Sequence, residues 1–301
     1  AGKMVAHRET SKTNPEELAE LMIGRKVLLN IEKSSAKIGK PLLVANNLEI
    51  HNEQGLKRVS EVSFEARSGE ILGIAGVTGN GQGTLLKALA GILPLSKGSI
   101  EIMGETITPK SQLNPEQLRN LSVAHVPEDR QKMGMIADFS ASETALMGYH
   151  NDKKLNQGIW LKRSLVKANC ESIMEAFDVR PNNPNLMSSN FSGGNQQKLI
   201  LAREFERDPE VLIIGQPTRG VDIGAIEFIR KRIIKMRDAG KAIVLISVEL
   251  EEIMSLSDRI IVMCDGEITG TVNGADADEA TLGMMMANAL ESQDELKGAR
   301  A

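Results

Sequence analysis

Residues 76–84 have the composition of a phosphate-binding loop. They read GVTGNGQGT, follow the aliphatic run ILGIA and precede the helical pattern LLKALAG. Glycines at a junction between a strand and a helix let several backbone amides face one anion at the helix N-terminus. The pattern predicts that a phosphate group is bound here, by Gly76, Gly79, Asn80, Gly81, Gln82, Gly83 and Thr84.

This loop departs from the nucleotide-binding pattern G-x-x-x-x-G-K-S/T at two positions. Gln82 replaces the lysine that contacts phosphates, and Gly83 replaces the hydroxyl residue that ligates magnesium. Losing a charge-assisted contact costs about 1.5–3 kcal/mol, or about ten- to a hundredfold in affinity. We therefore expect weak nucleotide binding. The spacing also differs from the G-x-G-x-x-G of dinucleotide-binding proteins, which argues against an NAD enzyme.

Two later segments carry further candidate chemistry. FSGGNQQK at 191–198 opens an amphipathic helix, with Ser192 placed as its N-cap and two glycines that permit close backbone approach. Taken alone, this segment is either an anion-binding helix start or only a helix cap. VLIIGQPTRGVD at 211–222 predicts a buried strand and a tight loop, but Gly215 and Gln216 occupy the tip, where nucleotide-hydrolysing proteins usually carry acids.

The elements that must position these segments form an α/β pattern. Short aliphatic runs without alternation predict parallel strands covered on both faces, at 71–75, 123–126, 211–214, 243–246 and 260–263. Helical patterns accompany them at 84–90, 195–206, 225–239 and 250–257. This is a doubly wound layout, in which ligands bind at the carboxyl ends of the strands.

Two insertions interrupt that alternation. Residues 42–69 and 98–107 alternate apolar and polar side chains, which predicts a half-exposed antiparallel sheet. Residues 138 to about 195 are polar and compatible with helices. We interpret the insertions as an antiparallel β subdomain and a helical subdomain attached to the core.

The two ends of the chain are similar to each other. Residues 2–24 align without gaps on residues 266–288, and both read as a strand-like opening followed by an amphipathic helix. The similarity is either a coincidence between two short pieces or the end of a preceding copy of the same domain. On the second interpretation, residues 1–25 are the tail of that copy, 26–41 a linker, 42–290 the domain and 291–301 a frayed tail.

Composition narrows the function classes. A net charge of -4 and 3% aromatic residues argue against a nucleic-acid partner. The two cysteines and four histidines are scattered, which fits neither a disulfide framework nor a zinc site and favours a reducing cytoplasm. The longest apolar runs are far shorter than the ~20 residues that span a bilayer, so we expect any membrane contact to come through other subunits.

The order of these segments resembles the nucleotide-binding domains of ABC transporters. It is most similar to the second half of the tandem ATPase subunits of bacterial sugar and nucleoside importers. The resemblance implies a P-loop NTPase (RecA-like) core with the two subdomains, of the ABC ATPase type. Gln216, where sugar-type members have glutamate, favours the nucleoside branch. The segments that carry the resemblance are HVPEDR (125–130), FSGGNQQK, QPTRGVDIGAIEFI (216–229), LEEIMSLSDRIIVM (250–263) and, for the end of the first half, ELAELMIGR (17–25).

The resemblance assigns roles where the family's pattern is kept. Residues 76–84 would be the Walker A loop, and Glu128 stands where most ABC proteins have the glutamine that senses the transport subunits. Asp222 would be the D-loop acid. The signature, which caps the γ-phosphate bound by a partner domain, would comprise Ser192, Gly193, Gly194, Asn195 and Gln196.

Other positions lack the family's functional residues. Gly215 stands at the magnesium-associated aspartate, Gln216 at the general-base glutamate and Val248 at the switch histidine. The aromatic residue that stacks on adenine is also missing, and His51 is the only candidate to replace it. A general base contributes about 10²–10⁴ in rate, and phosphoryl transfer otherwise depends on positioned metal and charge. The resemblance therefore implies a site that does not turn over ATP appreciably.

ABC domains pair head to tail, so the signature kept here would complete the site of a partner. That implies weakly bound ATP at this domain's own site and Mg²⁺ only at the partner's. The implied partners are the first nucleotide-binding domain of the same polypeptide or a second copy, membrane permease subunits and, indirectly, a solute-binding receptor. The domain would lie on the inner face of the cell membrane. An independently active ATPase and a non-enzymatic scaffold for the transport subunits remain as alternatives.

Overall fold

The computed structural model describes residues 4–14, 17–18, 20–21, 24, 33–157 and 160–288. The strands are β1 (Pro41–His51), β2 (Lys57–Arg67), β3 (Glu70–Ala75), β4 (Lys97–Ile102), β5 (Glu105–Ile107), β6 (Val123–Val126), β7 (Asn156–Gln157), β8 (Trp160–Leu161), β9 (Val211–Gly215), β10 (Ala242–Ile246), β11 (Arg259–Cys264) and β12 (Glu267–Asn273). The α-helices are α1 (Gln82–Leu89), α2 (Pro115–Asn120), α3 (Ala141–Leu146), α4 (Arg163–Ala176), α5 (Gly193–Phe205), α6 (Ile223–Asp238), α7 (Leu250–Leu256) and α8 (Glu279–Met286).

A six-stranded sheet forms the centre of the fold, in the order β12-β11-β3-β10-β9-β6. Neighbours from β11 to β6 are parallel, and β12 runs antiparallel to β11 at the edge. All five predicted aliphatic strands are confirmed. Successive residues of a strand point to opposite faces, and here both faces are covered. In β9, for example, Leu212 and Ile214 belong to one hydrophobic cluster while Val211 and Ile213 belong to the other.

A four-stranded antiparallel sheet, in the order β2-β1-β4-β5, lies over one face of the central sheet. The predicted antiparallel subdomain is thus confirmed. Its buried side chains share a cluster with α1 and the central strands, because Leu85 and Leu89 of the helix pack with residues such as Leu48 and Val62. Helix α1 is therefore held between the two sheets, and so is the glycine loop that precedes it.

Between residues 138 and 195 the structure has α3, the short hairpin β7–β8, α4 and the start of α5. Helices α3, α4 and α5 pack on one another. Phe177, just after α4, meets Phe205 and Phe228 edge-on, with ring centroids 5.9 and 5.6 Å apart. These contacts join the helical subdomain to α6 of the core.

The two similar ends of the chain form the same elements only in part, since residues 17–18 and 20–21 are helical but residues 4–9 form no strand. The C-terminal segment forms β12 and α8, as its pattern predicts. The expectation of a strand near the N-terminus is wrong for residues 4–9, which have no regular structure and leave Met4 and Val5 exposed. A strand needs a partner, which β11 supplies to β12. Of the proposed linker at 26–41, residues 33–41 are described, and β1 already begins at Pro41. Residues 26–32 and the proposed tail at 291–301 lie outside the described residues.

The helices were also compared with the length and hydropathy that a membrane-spanning helix needs. Within the described part of the chain, we find no helix that is both long enough and apolar enough to cross a bilayer.

Candidate functional site

A cleft of about 570 Å³ lies at the carboxyl ends of β3, β9 and β10. We name it the loop cleft, because the glycine loop forms one wall. It gathers residues from five separate parts of the chain. The predicted site residues that line it are Gly79, Gly81, Gln82, Gly83, Thr84, Glu128, Gln216 and Val248.

The glycine loop has the backbone conformation that its glycines predict. Gly79 and Gly81 have φ of 101° and 102°, in the region that favours glycine. A Cβ on Gly81 would also lie 2.2 Å from the carbonyl oxygen of Arg58. The loop then leads directly into α1, so its amides and the helix N-terminus face the loop cleft and can bind a phosphate.

Asn80 and Gly76 serve the loop rather than the cleft. The Asn80 carbonyl accepts from the Gly266 amide at 3.1 Å, and its side-chain amide lies 3.4 Å from the Met263 carbonyl oxygen. Gly76 gives room to Gln82, since a Cβ there would lie 1.8 Å from Gln82 Nε2. Both residues therefore fix the shape of the phosphate-binding loop.

Gln82 does not take over the function of the missing lysine. Its side chain is buried, and Nε2 lies 3.4 Å from the carbonyl oxygen of Val77 within the loop. An amide folded back in this way stabilises the loop but brings no charge to a phosphate. The geometry is consistent with the weak binding expected from the sequence.

Glu128 fills the space that the two missing metal ligands would use. A Cβ on Gly83 would lie 2.6 Å from Glu128 Oε2, and a Cβ on Gly215 would lie 2.6 Å from Glu128 Cγ. Burial raises the pKa of the Glu128 carboxyl, while the charges of Arg219 and Lys87 lower it. The sequence predicted a role for Glu128 in sensing other subunits, but not that its carboxylate enters the cleft.

The tip of β9 supplies no acid. Gln216 is buried, has a φ of 49°, and its backbone amide donates to the Ile246 carbonyl at 2.8 Å. Val248 is exposed at the cleft and offers no proton acceptor. Of the residues that the structure describes, no three His, Cys, Asp or Glu side chains are grouped to hold a metal ion. The described donors around this cleft do not fit a protein-bound Mg²⁺, because of its two lining carboxylates Glu53 is paired with Lys87 and leaves Glu128 alone.

Several lining residues were not predicted. The turn between β1 and β2 contributes Asn52, Glu53 and Gln54, and three cations complete the wall: Arg58, Lys87 and Arg219. Lys87 pairs with Glu53 at 3.1 Å. Lys87 could have been found from its position one helical turn after Gly83, but the others come together only through the tertiary fold.

His51 does not line the loop cleft. Its Nδ1 lies 2.6 Å from Ser96 Oγ, next to β4. The prediction that its ring replaces the adenine-stacking aromatic residue is therefore not supported. The neighbouring turn that starts at Asn52 forms that part of the wall instead.

The signature segment lies on a separate surface from the loop cleft. Ser192 is exposed and caps α5, with its hydroxyl accepting from the Asn195 side chain at 2.9 Å and from the Asn195 amide at 3.4 Å. Asn195 Oδ1 in turn accepts from the Arg180 amide. Gln196 points inward and donates to the Ser188 carbonyl at 3.1 Å. Only the first part of the segment is therefore open to a ligand.

Residues 193–194 of this segment pack against the predicted D-loop acid Asp222 and against Arg130. A Cβ on Gly194 would lie 3.0 Å from Asp222 Oδ2, and Asp222 Oδ1 caps α6 by accepting from the Ala225 amide at 2.9 Å. A Cβ on Gly193 would lie 2.6 Å from Arg130 Nη2, and Arg130 Nη1 donates to the Arg219 carbonyl at 2.7 Å. The two segments thus form one surface, supported by Arg130.

Comparison with known proteins agrees with this geometry. The family model described as "ABC transporter" matches residues 59–219. The chain is 39% identical over 293 residues to the guanosine import ATP-binding protein NupO of Bacillus subtilis, covering 97% of the chain and 57% of NupO. It is 41% identical over 286 residues to the nucleoside import ATP-binding protein NupA of Lactococcus lactis, covering 95% and 56%.

A third relative is the glucose import ATP-binding protein TsgD13 of Haloferax volcanii, 39% identical over 287 residues, with 95% of the chain and 52% of TsgD13 covered. The chain spans about half the length of the curated relatives it matches. The activities of these longer relatives therefore cannot be assigned directly to this chain.

Solved ABC cassettes share the fold. The dimeric cassette MJ0796 bound to ADP and Pi has a TM-score of 0.65 at 20% identity, covering 77% of this chain and 98% of that one. A nucleotide-free cassette has a TM-score of 0.64 at 19% identity, covering 83% and 95%. The fold is therefore a P-loop NTPase core of the ABC ATPase type, and with more than half of its residues matched by the family model the chain belongs to the ABC transporter family.

Proposed function

We propose that this chain is the degenerate nucleotide-binding half of a bacterial importer's ATPase. It binds ATP weakly in its own loop cleft, does not hydrolyse it, and uses its signature to complete the hydrolytic site of a partner domain. The observation that carries the proposal is a contrast within one domain. The helices that follow the signature and the D-loop are capped by Ser192 and Asp222, whereas the tip of β9 in the loop cleft carries Gly215 and Gln216 in place of acids.

The loop cleft retains groups that can bind phosphate and lacks the groups that would hydrolyse ATP. Backbone amides at the start of α1 can hold phosphates, but Gln82 is folded into the loop and Gly83 has no hydroxyl. Gln216 cannot accept a proton as a glutamate would, and Val248 cannot donate one. Because positioned metal and charge dominate phosphoryl transfer, their joint loss supports binding without turnover.

The signature surface retains what a partner's nucleotide needs. The exposed hydroxyl of Ser192 and the N-terminal end of α5 present hydrogen-bond donors and a positive dipole end to an anion brought from outside. The solved cassette MJ0796, which shares this fold, forms a dimer with bound ADP and Pi. On this proposal Mg²⁺ binds at the partner's site, which has its own phosphate loop.

We further propose that the chain is the second half of a tandem protein. Relatives of about twice the length and the similarity of residues 2–24 to residues 266–288 support this. Residues 1–25 would then end the first half, 26–41 link the halves, 42–290 form the second domain and 291–301 follow it. The partner is the first nucleotide-binding domain of the same polypeptide or, failing that, a second copy of this chain.

The transport role follows from the relatives. Those most similar here are named as import ATP-binding proteins for guanosine, nucleosides and glucose. We propose a nucleoside or sugar importer, with Gln216 favouring nucleosides. The domain would bind membrane permease subunits on the cytoplasmic face of the cell membrane, and these would receive solute from a binding receptor.

Two measurements on the purified chain test this proposal against its alternatives. Calorimetry should detect binding of ATP or ADP, and complete absence of binding would favour a non-enzymatic scaffold. Phosphate-release assays should detect no steady ATP hydrolysis. Hydrolysis that is lost in the Thr84→Ala variant of the loop would show an independently active ATPase and refute the proposal.

A further inference from the structure

Glu128 occupies the loop cleft in a way that affects which nucleotide fits. We propose that its carboxylate makes this cleft select nucleoside diphosphates over triphosphates. The inference rests on the proposed function, namely that the loop cleft binds a nucleotide, and it adds the ligand class of that site.

Two separate backbone positions place the Glu128 side chain. From the side of α1, a Cβ on Gly83 would meet Oε2 at 2.6 Å and Cδ at 3.3 Å. From the side of β9, a Cβ on Gly215 would meet Cγ at 2.6 Å and the backbone nitrogen of Glu128 at 3.0 Å. The side chain therefore lies between the helix start and the strand tip, and the absence of a side chain at both glycines makes room for it.

In a phosphate-binding loop the backbone amides hold the α- and β-phosphates, while the lysine and the hydroxyl residue reach the third phosphate and its magnesium. Glu128 Oε2 lies 2.6 Å from the position that the Cβ of that hydroxyl residue would take. A diphosphate can be held by the loop amides alone. A third phosphate extends toward the carboxylate of Glu128.

The glycine loop provides no cation between these two negative groups, and the three cations of the cleft, Arg58, Lys87 and Arg219, belong to its wall. Gln82 is neutral and folded toward Val77, and neither glycine position carries a metal ligand. Within the described residues the Glu128 carboxylate forms no hydrogen bond or ion pair of its own, and Lys87 is paired with Glu53. Two like charges at such short range in a partly buried site repel strongly. We expect ADP to bind at least about tenfold more tightly than ATP.

The test is calorimetric titration of the purified chain with ADP and with ATP, each in Mg²⁺ and in EDTA. The Glu128→Gln variant should bind ATP about tenfold more tightly than the parent, and ADP affinity should change by less than about twofold. Glu128→Ala should behave in the same way, which guards against a specific effect of the new amide. Glu175→Gln removes the same charge from an exposed position on α4 and should leave both affinities unchanged.

Several results would overturn the inference. Equal affinities in the parent, or tighter binding of ATP, would show that Glu128 does not reject the third phosphate. A loss of ATP affinity in Glu128→Gln that appears only with Mg²⁺ would show instead that the carboxylate ligates the metal. Binding of neither nucleotide by a folded parent would refute the proposed function itself, which separates the two failures.

Discussion

Replacing Gly215 by alanine tests the contact between Glu128 and the end of β9. The φ of Gly215 is not in the left-handed region, so alanine is excluded only by space. Its Cβ would lie 2.6 Å from Glu128 Cγ, 2.9 Å from Leu86 Cδ2 and 3.0 Å from the Glu128 backbone nitrogen. Overpacking of this kind costs about 1–3 kcal/mol. We expect Gly215→Ala to lower the free energy of unfolding in urea by about that amount.

A double-mutant cycle tests whether the contact with Glu128 causes this loss of stability. In a Glu128→Ala background Cγ is gone, while the contacts with Leu86 and the backbone remain. The cost of Gly215→Ala should therefore fall by about 1 kcal/mol, within the range for residues in contact. Gly283→Ala is the control, because its Cβ would meet nothing within 4 Å in α8 and should be neutral or slightly stabilising. A Gly215→Ala variant as stable as the parent, or a cost unchanged in the Glu128→Ala background, would refute the placement of Glu128.

Three further predictions concern stability and the cleft wall. Burial lowers the pKa of His125 to about 4, against the opposing charge of Glu204. The free energy of unfolding should therefore be at its full value above pH ~6.5 and fall by about 3 kcal/mol as the pH drops toward 4, because the buried imidazole must then take up a proton. Urea titrations at several pH values should show this loss, and the loss should be smaller in His125→Gln. Asp222→Ala should lower the free energy of unfolding by about 1 kcal/mol through loss of the α6 cap, whereas Asp222→Asn should keep most of that stability. Equal losses of stability for the two variants in thermal unfolding would contradict the capping role. His51→Ala should leave the affinity for ADP within about twofold of the parent. A larger loss of affinity, measured by calorimetry, would show that the His51 ring contacts the nucleotide after all.

The strands were predictable because burial on both faces requires apolar residues at every position of the strand. Val211 to Ile214 alternate between two hydrophobic clusters, so a strand covered on both faces reads as an unbroken aliphatic run. The cap of α5 was predictable for a similar reason, since Ser192 bonds to an amide only three residues away.

What could not be predicted depends on contacts between distant parts of the chain. The sequence shows that Gly83 and Gly215 lack metal ligands, but not that Glu128 fills the space at both. The direction of the His51 side chain was missed because it is set by Ser96, in the loop before β4 and far along the chain. The N-terminal residues 4–9 were expected to be strand-like from their pattern alone, although a strand forms only where a neighbour offers hydrogen bonds.

We propose that this domain completes a partner's site and does not hydrolyse ATP in its own. ATP hydrolysis by the chain joined to an intact nucleotide-binding domain tests it directly, with one variant on each surface. Ser192→Arg in the signature should lower kcat by about 100-fold or more, as loss of a transition-state donor does, while Thr84→Ala in the loop cleft should leave kcat within about threefold. The opposite pattern, with hydrolysis lost in Thr84→Ala and kept in Ser192→Arg, would contradict the account.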